Sequence, residues 1–348
     1  MLGGTGAIGI HLVKLLSNKG VETYVTSRIE RESKGNTQYI KGNAHDIAFV
    51  QTLLAEEWDA IVDFLVYSTE AFRERVDLLL GSTKQYVFLS SARVYAEKED
   101  RILETSARLL DVSPDEEFQR SDEYSLAKAR QEDILKYSGR TNWTIVRPYI
   151  TYSENRLQLG VLEKEDWLYR ALQGRTIVFS KDICSKLTTL TYSNDVANCI
   201  FNLIGNKRSF GETFHIATEE TIKWEEVLEL YLDVLEEHIG KRPKVLLQDL
   251  ESFIEWKGGK YQVLYDRLYN RSFNGSKLNQ FVEMQSFEQI ASGLRNCLQL
   301  FLEKPSFRSI YWKNEALKDR NTKEVTPMNE ILGFKQKVKY ILYRWVWK

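Results

Sequence analysis

The 348-residue sequence contains few of the residues that build disulfide frameworks or metal sites. Its three cysteines, Cys184, Cys199 and Cys297, are odd in number and far apart, and none of its four histidines forms an HxxxH pattern. Because this spacing fits neither a zinc site nor a disulfide framework, we expect a reducing compartment. We predict no metal site.

Long apolar runs and a strong net charge are also missing. No stretch of 18 or more apolar residues occurs, and no charged leader precedes an apolar stretch at the start, so we expect neither a membrane-spanning helix nor a targeting segment. The net charge of −1 argues against a nucleic-acid partner bound through overall charge. With 43% hydrophobic and 28% charged residues, the composition is that of a globular protein, and we predict a cytoplasmic location.

Glycines recur at the start of the chain with the spacing of a phosphate-binding turn. Positions 3, 6 and 9 are glycines, an apolar-periodic helical pattern follows over 10–16, and a strand pattern follows over 22–27. In such turns one glycine permits a tight bend, one lets the backbone approach the phosphates, and one lets helix and strand pack closely. The predicted dinucleotide contacts of this turn are Gly3, Thr5, Gly6, Ala7, Ile8 and Gly9.

The strand that should lead into this turn is short. A doubly wound sheet places that strand at its centre, where about five apolar residues are usual. Here only Met1 and Leu2 precede the glycines. We therefore expect the natural start to lie several residues upstream. A well-paired first strand formed by residues 1–4 alone would contradict this expectation.

The end of the next strand bears on the choice of dinucleotide. NAD-selective sites usually carry Asp or Glu about 20 residues after the glycines, to hold the ribose 2′-hydroxyl. Here Ser27 and Arg28 offer a hydroxyl and a cation, which suit a 2′-phosphate, so NADP is slightly favoured over NAD. Alternatively, Arg28 is a plain surface residue. Further along, Asp46 either meets the adenine edge or caps the helix that runs to Leu54.

Strand and helix patterns alternate through the first 150 residues. Strand patterns at 37–40, 60–66 and 86–89 are separated by helical patterns, which predicts right-handed crossovers and a parallel sheet. We predict an α/β fold, a doubly wound parallel (Rossmann) sheet with a smaller C-terminal α+β lobe. Ser90 and Ser91 follow a nearly all-apolar strand, at the sheet edge where ligands bind, although the two serines also fit a simple strand cap.

A tyrosine and a lysine share one face of the helix predicted over 123–137. Tyr124 and Lys128 are four residues apart and therefore one helical turn apart. Half-ionising a free tyrosine, with a pKa of about 10, near pH 7 costs roughly 4 kcal/mol, and a unit charge about 4 Å away at an effective dielectric near 20 supplies roughly that much. With 18 tyrosines and 48 basic residues, a few such pairs arise by chance, so a solvated lysine beside a half-buried tyrosine is the alternative.

As a set, these motifs resemble a known family. The glycine turn, Ser90-Ser91 followed by Val94-Tyr95, the pair Tyr124-x-x-x-Lys128, and Arg147-Pro148 are similar to the motifs of the extended short-chain dehydrogenase/reductase family. Within that family the similarity is to the NAD-dependent epimerase/dehydratase group, whose substrates are nucleotide sugars. The resemblance runs to about residue 305.

The resemblance implies roles for individual residues. Tyr124 would be the catalytic acid/base, Lys128 would lower the pKa of that tyrosine and bind the nicotinamide ribose, and Ser91 would orient the substrate hydroxyl or carbonyl. Ser90 and Pro148 would contact the cofactor, with Pro148 closing the sheet edge over the nicotinamide. The candidate substrate ligands are Arg93, Arg156 and Arg175. Guanidinium groups bind diphosphates in bidentate fashion, but Arg156 and Arg175 also fit plain surface charges.

The resemblance also implies a domain plan. Residues 1–150 would form the dinucleotide-binding core, to which 188–235 return, and 151–187 and 236–305 would form the substrate-binding lobe. Residues 306–348 would be a basic, aromatic C-terminal extension. A homodimer that pairs through the helix of Tyr124 is expected by resemblance alone.

The function implied is that of an NAD(P)-dependent epimerase, dehydratase or reductase of a nucleotide-activated sugar, in surface-polysaccharide or related sugar biosynthesis. Two alternatives remain at this point. One is an NADP-dependent reductase of a small carbonyl compound, and the other is a non-catalytic nucleotide-binding relative, a class of which a few members bind RNA.

The extension ends in a segment rich in cations and aromatic rings. Residues 334–348 fit two interpretations: a terminal helix that docks on its own domain or on a partner chain, and a helix that rests on a membrane surface. Docking is favoured, with a peripheral membrane contact through 331–348 as the second interpretation.

Overall fold

The computed structural model describes residues 1–347, which divide into two compact units. Unit 1 comprises Met1–Ser153, Thr189–Thr221 and Arg271–Ile290. Unit 2 comprises Glu154–Thr188, Ile222–Asn270 and the chain from Ala291 onward. The chain therefore returns to unit 1 twice after residue 153.

Strands and helices are numbered in chain order. The strands are β1 (Thr23–Ser27), β2 (Thr37–Lys41), β3 (Trp58–Asp63), β4 (Thr83–Leu89), β5 (Trp143–Pro148), β6 (Thr151–Tyr152), β7 (Ile177–Ser180), β8 (Leu187–Thr188), β9 (Thr191–Tyr192), β10 (Glu212–Ile216), β11 (Ile222–Lys223) and β12 (Val245–Gln248). The helices are α1 (Ala7–Asn18), α2 (Ile47–Leu53), α3 (Thr69–Arg73), α4 (Val76–Gly81), α5 (Leu109–Val112), α6 (Glu116–Arg120), α7 (Tyr124–Lys136), α8 (Lys164–Leu172), α9 (Lys181–Cys184), α10 (Ser193–Leu203), α11 (Trp224–Ile239), α12 (Leu250–Lys257), α13 (Lys260–Gln262), α14 (Ile290–Glu303), α15 (Trp312–Thr322) and α16 (Phe334–Ile341).

Parallel strands form the centre of unit 1. Strands β10, β5, β4 and β3 pair in that order, all in parallel, and β1 pairs with β2 in parallel. Because successive residues of a strand face opposite sides, Tyr86 and Phe88 enter one apolar core and Val87 and Leu89 enter another. Burial on both faces explains why β4 is nearly all apolar. The predicted doubly wound α/β fold is confirmed.

Met1 and Leu2 lie between β1 and β3, at the position of the central strand of the sheet. The Leu2 N–H donates to the carbonyl of Val62 at 2.9 Å, and the Met1 carbonyl accepts from the Thr26 N–H at 3.1 Å. Leu2 forms a single parallel bridge with Asp63. Residues 1–4 therefore connect the two sets of strands, and they do not form an extended strand of their own.

Strand β3 ends earlier than its apolar pattern predicts. The pattern continues through Phe64, Leu65 and Val66, but the strand ends at Asp63. The carboxylate of Asp63 accepts a hydrogen bond from the Leu65 N–H at 2.9 Å, which turns the chain in the manner typical of aspartate. The predicted strand over 60–66 is therefore displaced, and its last three residues form a loop.

The acidic segment 96–123 is more ordered than a loop. It contains α5 and α6, and Asp115 caps α6 by accepting a hydrogen bond from the Phe118 N–H at 2.9 Å. The Phe118 ring is buried, and Arg108 binds Asp133 of α7 at 2.7 Å. Helices of four or five residues leave little periodic signal, so the sequence pattern predicts neither α5 nor α6.

Unit 2 combines helices with two short strand pairs. Strand β7 pairs with β12 in parallel and β8 with β11 in antiparallel fashion, and Trp167 of α8 stacks on Tyr231 of α11 with ring centroids 4.6 Å apart. Helix α16 packs on α15 through the buried Tyr340. Arg170 of α8 binds Glu315 and Asp319 of α15, so the C-terminal extension docks on its own unit. Across residues 1–347, no helix has both the length and the apolarity needed to cross a membrane.

Candidate functional site

The glycine turn has the geometry that its spacing predicts. Gly3 has a positive φ of +73°, and a Cβ there would lie 2.6 Å from the Leu65 side chain. A Cβ on Gly9 would lie 2.4 Å from the carbonyl oxygen of Gly4, so the helix can pack on the turn only with glycine at this position. A Cβ on Gly6 would meet no atom within 4 Å. The turn therefore presents open backbone at Gly6.

The first helix begins at this open backbone. Gly6 is the N-cap of α1, the first turn carries no acidic residue, and within the described chain no side chain caps the helix. The Gly6 carbonyl accepts from the Ile10 N–H at 3.1 Å, whereas the Gly3 N–H donates to the Thr26 hydroxyl at 2.9 Å. Because the first N–H groups of a helix have no intrahelical partner and favour anions, this turn fits the diphosphate of a dinucleotide.

The residues predicted to select the dinucleotide lie at and beyond the end of β1. Ser27 is buried at the end of the strand, and Arg28 is exposed in the following loop. Asp46 is exposed and caps α2, accepting a hydrogen bond from the Ala48 N–H at 2.9 Å. Of the two interpretations of Asp46, the structure shows the helix cap. The contacts of Ser27 and Arg28 with a cofactor remain predictions.

Lys128 is buried at the end of β4. The residue is 1% exposed, and its ammonium group donates to the carbonyls of Leu89 at 2.7 Å and of Leu65 at 3.3 Å. Burial lowers the pKa of Lys128 to about 8, against the opposing charges of Asp63 and Glu132. A solvated lysine, the alternative interpretation, is therefore wrong.

Tyr124 begins helix α7, one turn before Lys128. The helix starts here because Glu123 accepts a hydrogen bond from the Ser125 N–H at 2.7 Å as its N-cap. The guanidinium of Arg93 lies over the Tyr124 ring at 5.0 Å and binds Glu123 at 2.6 Å. The structure thus places the cation of Arg93, a residue predicted to bind substrate, beside the tyrosine ring.

Ser91 lies close to the same groups. Its hydroxyl oxygen accepts a hydrogen bond from the Arg93 N–H at 3.2 Å and caps the 3₁₀-helix Ala92–Val94. Because the carbonyl of Leu89 binds Lys128, the two serines that follow this strand lie at the same sheet edge as the lysine. The structure therefore brings together Ser91, Arg93 and Lys128, with Tyr124 against Arg93.

Ser90 is turned toward a buried ion pair that the sequence motifs did not predict. Its hydroxyl donates to Glu132 at 2.6 Å, and Arg147 binds both carboxylate oxygens of Glu132 at 2.5 and 2.7 Å. Burial alone would raise the pKa of Glu132, but the hydrogen bonds from Arg147 and Ser90 hold it below its usual range. The signal was available, since Tyr124, Lys128 and Glu132 follow one another at four-residue intervals on one helix face.

Asp63 is a second residue that the motifs did not predict. It is fully buried, and its carboxylate accepts from the hydroxyls of Tyr86 at 2.8 Å and Tyr67 at 3.1 Å. Burial raises the pKa of Asp63 in spite of these hydrogen bonds and of the charge of Lys128. An acidic residue inside an apolar strand pattern was the only sign of it in the sequence.

The remaining predicted residues lie at other places. Pro148 ends β5 and pairs with Ile216 of β10. Arg156 and Arg175 belong to unit 2, where Arg156 lies 3.7 Å from Glu163 and Arg175 binds Glu330 at 2.9 Å. Both guanidinium groups therefore have carboxylate partners in their own unit, and their contact with substrate remains a prediction.

Comparison with known proteins gives one curated relative and many solved structures. The chloroplast stem-loop binding protein of 41 kDa b from Arabidopsis thaliana is 24% identical over 242 residues, which are 65% of this chain and 60% of the relative. The match thus spans less than two thirds of that protein's length.

Among solved structures, MoeE5 in complex with UDP-glucuronic acid and NAD has a TM-score of 0.66 at 16% identity and covers 87% of this chain and 98% of its own. WbmH from Bordetella bronchiseptica in complex with NAD+ has a TM-score of 0.66 at 15% identity and covers 88% and 98%. These likenesses show the fold.

A family model identifies the chain more specifically. The model of the NAD-dependent epimerase/dehydratase family matches residues 1–217, well over half of the chain. The matched region includes the glycine turn, both serines of the β4 edge and the pair Tyr124 and Lys128. The resemblance inferred from these motifs is therefore confirmed, and the chain belongs to the NAD-dependent epimerase/dehydratase family of extended short-chain dehydrogenases/reductases.

Proposed function

We propose that this chain is an NAD-dependent enzyme that acts on a nucleotide-activated sugar, with Tyr124 as its proton-transfer residue. One observation carries the proposal. A buried ammonium group, that of Lys128, is held at the sheet edge by two carbonyl oxygens, one helical turn from Tyr124. A cation kept out of water at a ligand-binding edge is more consistent with chemistry than with fold stability, because its burial is unfavourable.

The glycine turn and the end of β1 would bind the cofactor. The open backbone at Gly6 and the first turn of α1 would hold the diphosphate, while Ser27 and Arg28 would lie at the adenosine ribose. When bound, the dinucleotide supplies a two-electron oxidant at its nicotinamide ring. NAD is the dinucleotide in the family name and in the MoeE5 and WbmH complexes, so we propose NAD here. The NADP preference suggested by Arg28 remains a prediction.

The protein's own residues would move the proton. Tyr124 would be a phenolate before this step, and the charges of Lys128 and Arg93 would stabilise it. The phenolate oxygen would then take a proton from a sugar hydroxyl. With a pKa of about 8, Lys128 stays largely protonated at pH 7. The hydroxyl oxygen of Ser91 accepts the Arg93 N–H, which leaves its hydrogen for the reacting oxygen of the sugar.

The substrate class rests on the fold relatives. MoeE5 was solved with UDP-glucuronic acid and NAD, and a diphosphate-linked sugar of this kind is the substrate we propose. Epimerase, dehydratase and reductase outcomes share the same proton transfer at Tyr124, and a role in surface-polysaccharide or related biosynthesis stays a prediction. A homodimer stays a prediction as well.

Replacing the phenol of Tyr124 tests the mechanism. The purified chain is incubated with NAD and a panel of UDP-, dTDP- and GDP-sugars, and products are followed by NMR. We expect turnover of one class of sugar nucleotide, and we expect Tyr124→Phe to lower kcat by about 10²–10⁴, the usual contribution of a general acid or base. Binding of NAD, measured by calorimetry, should stay within about twofold, because the variant keeps the ring and loses one hydroxyl.

Tyr137→Phe is the matched control, since Tyr137 follows the last residue of the same helix and is 85% exposed. It should turn over substrate like the wild type. Turnover that survives in Tyr124→Phe would disprove the assigned role. No turnover of any sugar nucleotide, together with reduction of small carbonyl compounds, would favour the alternative substrate class.

Stem-loop binding is a second candidate function, because the curated relative is named for it. The net charge of −1 and the buried Lys128 beside Tyr124 argue against it as the main function. A gel-shift titration with a stem-loop oligonucleotide separates the two. Tight binding together with no sugar-nucleotide turnover would favour the second candidate.

A further inference from the structure

The last helical segment of the chain is fixed to unit 2 by one face. In α16, the hydroxyl of the buried Tyr340 donates to Asp319 at 2.6 Å. Beyond α16, a π-helical turn spans Leu342–Val346, and Arg320 donates to the backbone carbonyls of Tyr343 and Trp347. The orientation of the helix on unit 2 is therefore set by contacts at several points along its length.

The opposite face carries large apolar side chains into solvent. Phe334, Val338 and Ile341 follow the i, i+4, i+7 spacing of one face of α16, and Trp345 follows in the π-helical turn. The four side chains are 80%, 38%, 42% and 62% exposed. Leu332, just before the helix, is 82% exposed. A continuous apolar face of this kind on a protein surface marks an interaction site, because scattered exposed residues do not align in this way.

Cations border this apolar face, and acidic residues are missing from it. Lys335 and Lys339 are exposed on one side, and Lys337 is half-buried on the other. No Asp or Glu occurs in the sequence from 331 to 348. The preceding acidic residue, Glu330, is already bound to Arg175 at 2.9 Å. The surface is therefore apolar at its centre and positive at both edges.

We propose that this C-terminal face, defined by Phe334, Val338, Ile341 and Trp345, rests on the surface of an anionic lipid bilayer. A helix with large apolar and aromatic side chains on one face and lysines beside them is typical of segments that lie in the membrane interface. The lysines match the negative charge of lipid headgroups, and the tryptophan suits the boundary between headgroups and acyl chains. The contact lies in the plane of the membrane and involves no spanning helix.

The charge complementarity sets the expected size of the effect. Near an anionic membrane each lysine strengthens binding about fivefold, so three lysines together account for a change on the order of 100-fold. The apolar face adds binding that does not depend on salt. Binding should therefore be strong on anionic vesicles at low salt, weaker at high salt, and weakest on neutral vesicles.

Co-sedimentation of the full chain with vesicles tests the proposal. The vesicles are phosphatidylcholine alone and an equal mixture of phosphatidylcholine and phosphatidylglycerol. We expect sedimentation with the mixed vesicles, and a loss on the order of 100-fold in the combined variant Lys335→Gln, Lys337→Gln, Lys339→Gln. Trp345→Ser should weaken binding to the mixed vesicles at least about fivefold, since it removes an exposed aromatic anchor.

Matched variants control for charge and hydrophobicity alone. Lys181→Gln, Lys241→Gln and Lys304→Gln together remove the same charge from exposed positions of unit 2, and Tyr311→Ser removes an aromatic ring that is 68% exposed. Both should bind the mixed vesicles like the wild type. All the substituted positions are exposed or half-buried, and thermal unfolding of each variant confirms that the fold is kept.

Three results would overturn the proposal. The first is a wild-type chain that does not sediment with mixed vesicles, and the second is equal loss in the control variants. The third is a chain that forms a Trp345-dependent dimer, or binds a stem-loop oligonucleotide through the three lysines, without binding vesicles. In that case a second copy or a nucleic acid would cover the face.

Discussion

Two fully buried cations, Lys128 in unit 1 and Arg170 in unit 2, are held in different ways. Arg170 binds three carboxylates, those of Glu315 at 2.8 Å, Asp319 at 2.7 Å and Glu324 at 2.9 Å. Burial alone would lower the pKa of Arg170, but these partners hold it above its usual range. Lys128 instead donates to two backbone carbonyls, and burial lowers its pKa to about 8.

The difference separates a cation that has carboxylate partners from one for which we propose a role in proton transfer. The charge of Arg170 is neutralised within its cluster, which joins α8 to α15 of the C-terminal extension. For Lys128, no carboxylate oxygen in residues 1–347 lies within the 4.0 Å of an ion pair. Its charge is therefore less compensated at short range than that of Arg170. A buried cation of this kind at the edge of a parallel sheet supports the role that we propose for Lys128.

We expect the largest loss of stability when Arg170 is replaced. Arg170→Met leaves Glu315 and Asp319, which are 1% and 0% exposed, without the Arg170 guanidinium. Within residues 1–347, only Glu315 of the two keeps a lysine partner, Lys318. Removing one member of a buried ion cluster costs about 3–5 kcal/mol of unfolding free energy. Urea unfolding of the variant measures this loss. Arg295→Met is the control, because its pair with Glu237 is exposed and should contribute less than about 1 kcal/mol. A smaller loss of unfolding free energy than in the control would mean that the Arg170 cluster does not stabilise the fold.

Substitution of Lys128 should change the unfolding free energy in the opposite direction. Lys128→Met removes a buried charge without an ion-pair partner, so we expect the unfolding free energy at pH 7 to rise by about 1–3 kcal/mol while turnover falls. The folded pKa of about 8 lies below the unfolded value of 10.5. The unfolded chain therefore binds more protons between pH 8 and 10.5, and wild-type stability rises through that window.

The advantage of Lys128→Met should accordingly be complete below pH 8 and disappear by about pH 10.5. Urea unfolding at a series of pH values measures it. Lys136→Met, on the same helix but 35% exposed at its side chain, serves as the control and should change stability less. A strong destabilisation by Lys128→Met at pH 7 would mean that the two cations are alike.

The local patterns predicted most of unit 1 correctly. The strand pattern over 86–89 marks β4, and the helix over 123–137 is α7, because parallel buried strands and long amphipathic helices leave periodic signals. The glycine turn is predicted from its spacing because Gly3 and Gly9 are required by local steric contacts. These features depend on residues close together in the chain.

The details of the site depend on contacts between residues that are far apart in the chain. The direction of the Ser90 hydroxyl depends on Glu132, 42 residues away, and the end of β3 depends on the hydrogen bond that Asp63 accepts. Asp46 is shown to cap α2, whereas its contact with the adenine edge stays a prediction. The ion pairs of Arg170 join residues about 150 positions apart, and no local pattern reports such pairs.

Within residues 1–347, Lys128 is a buried cation without a carboxylate oxygen at ion-pair distance, and its ionisation can be measured directly. NMR of the chain labelled with ¹³C-lysine follows the side-chain signals through a pH titration, and the signal lost in Lys128→Met assigns that residue. We expect a midpoint near pH 8 for Lys128, because burial lowers its pKa. A midpoint at or above 10.5 would show a cation that is solvated or paired, and would contradict the claim.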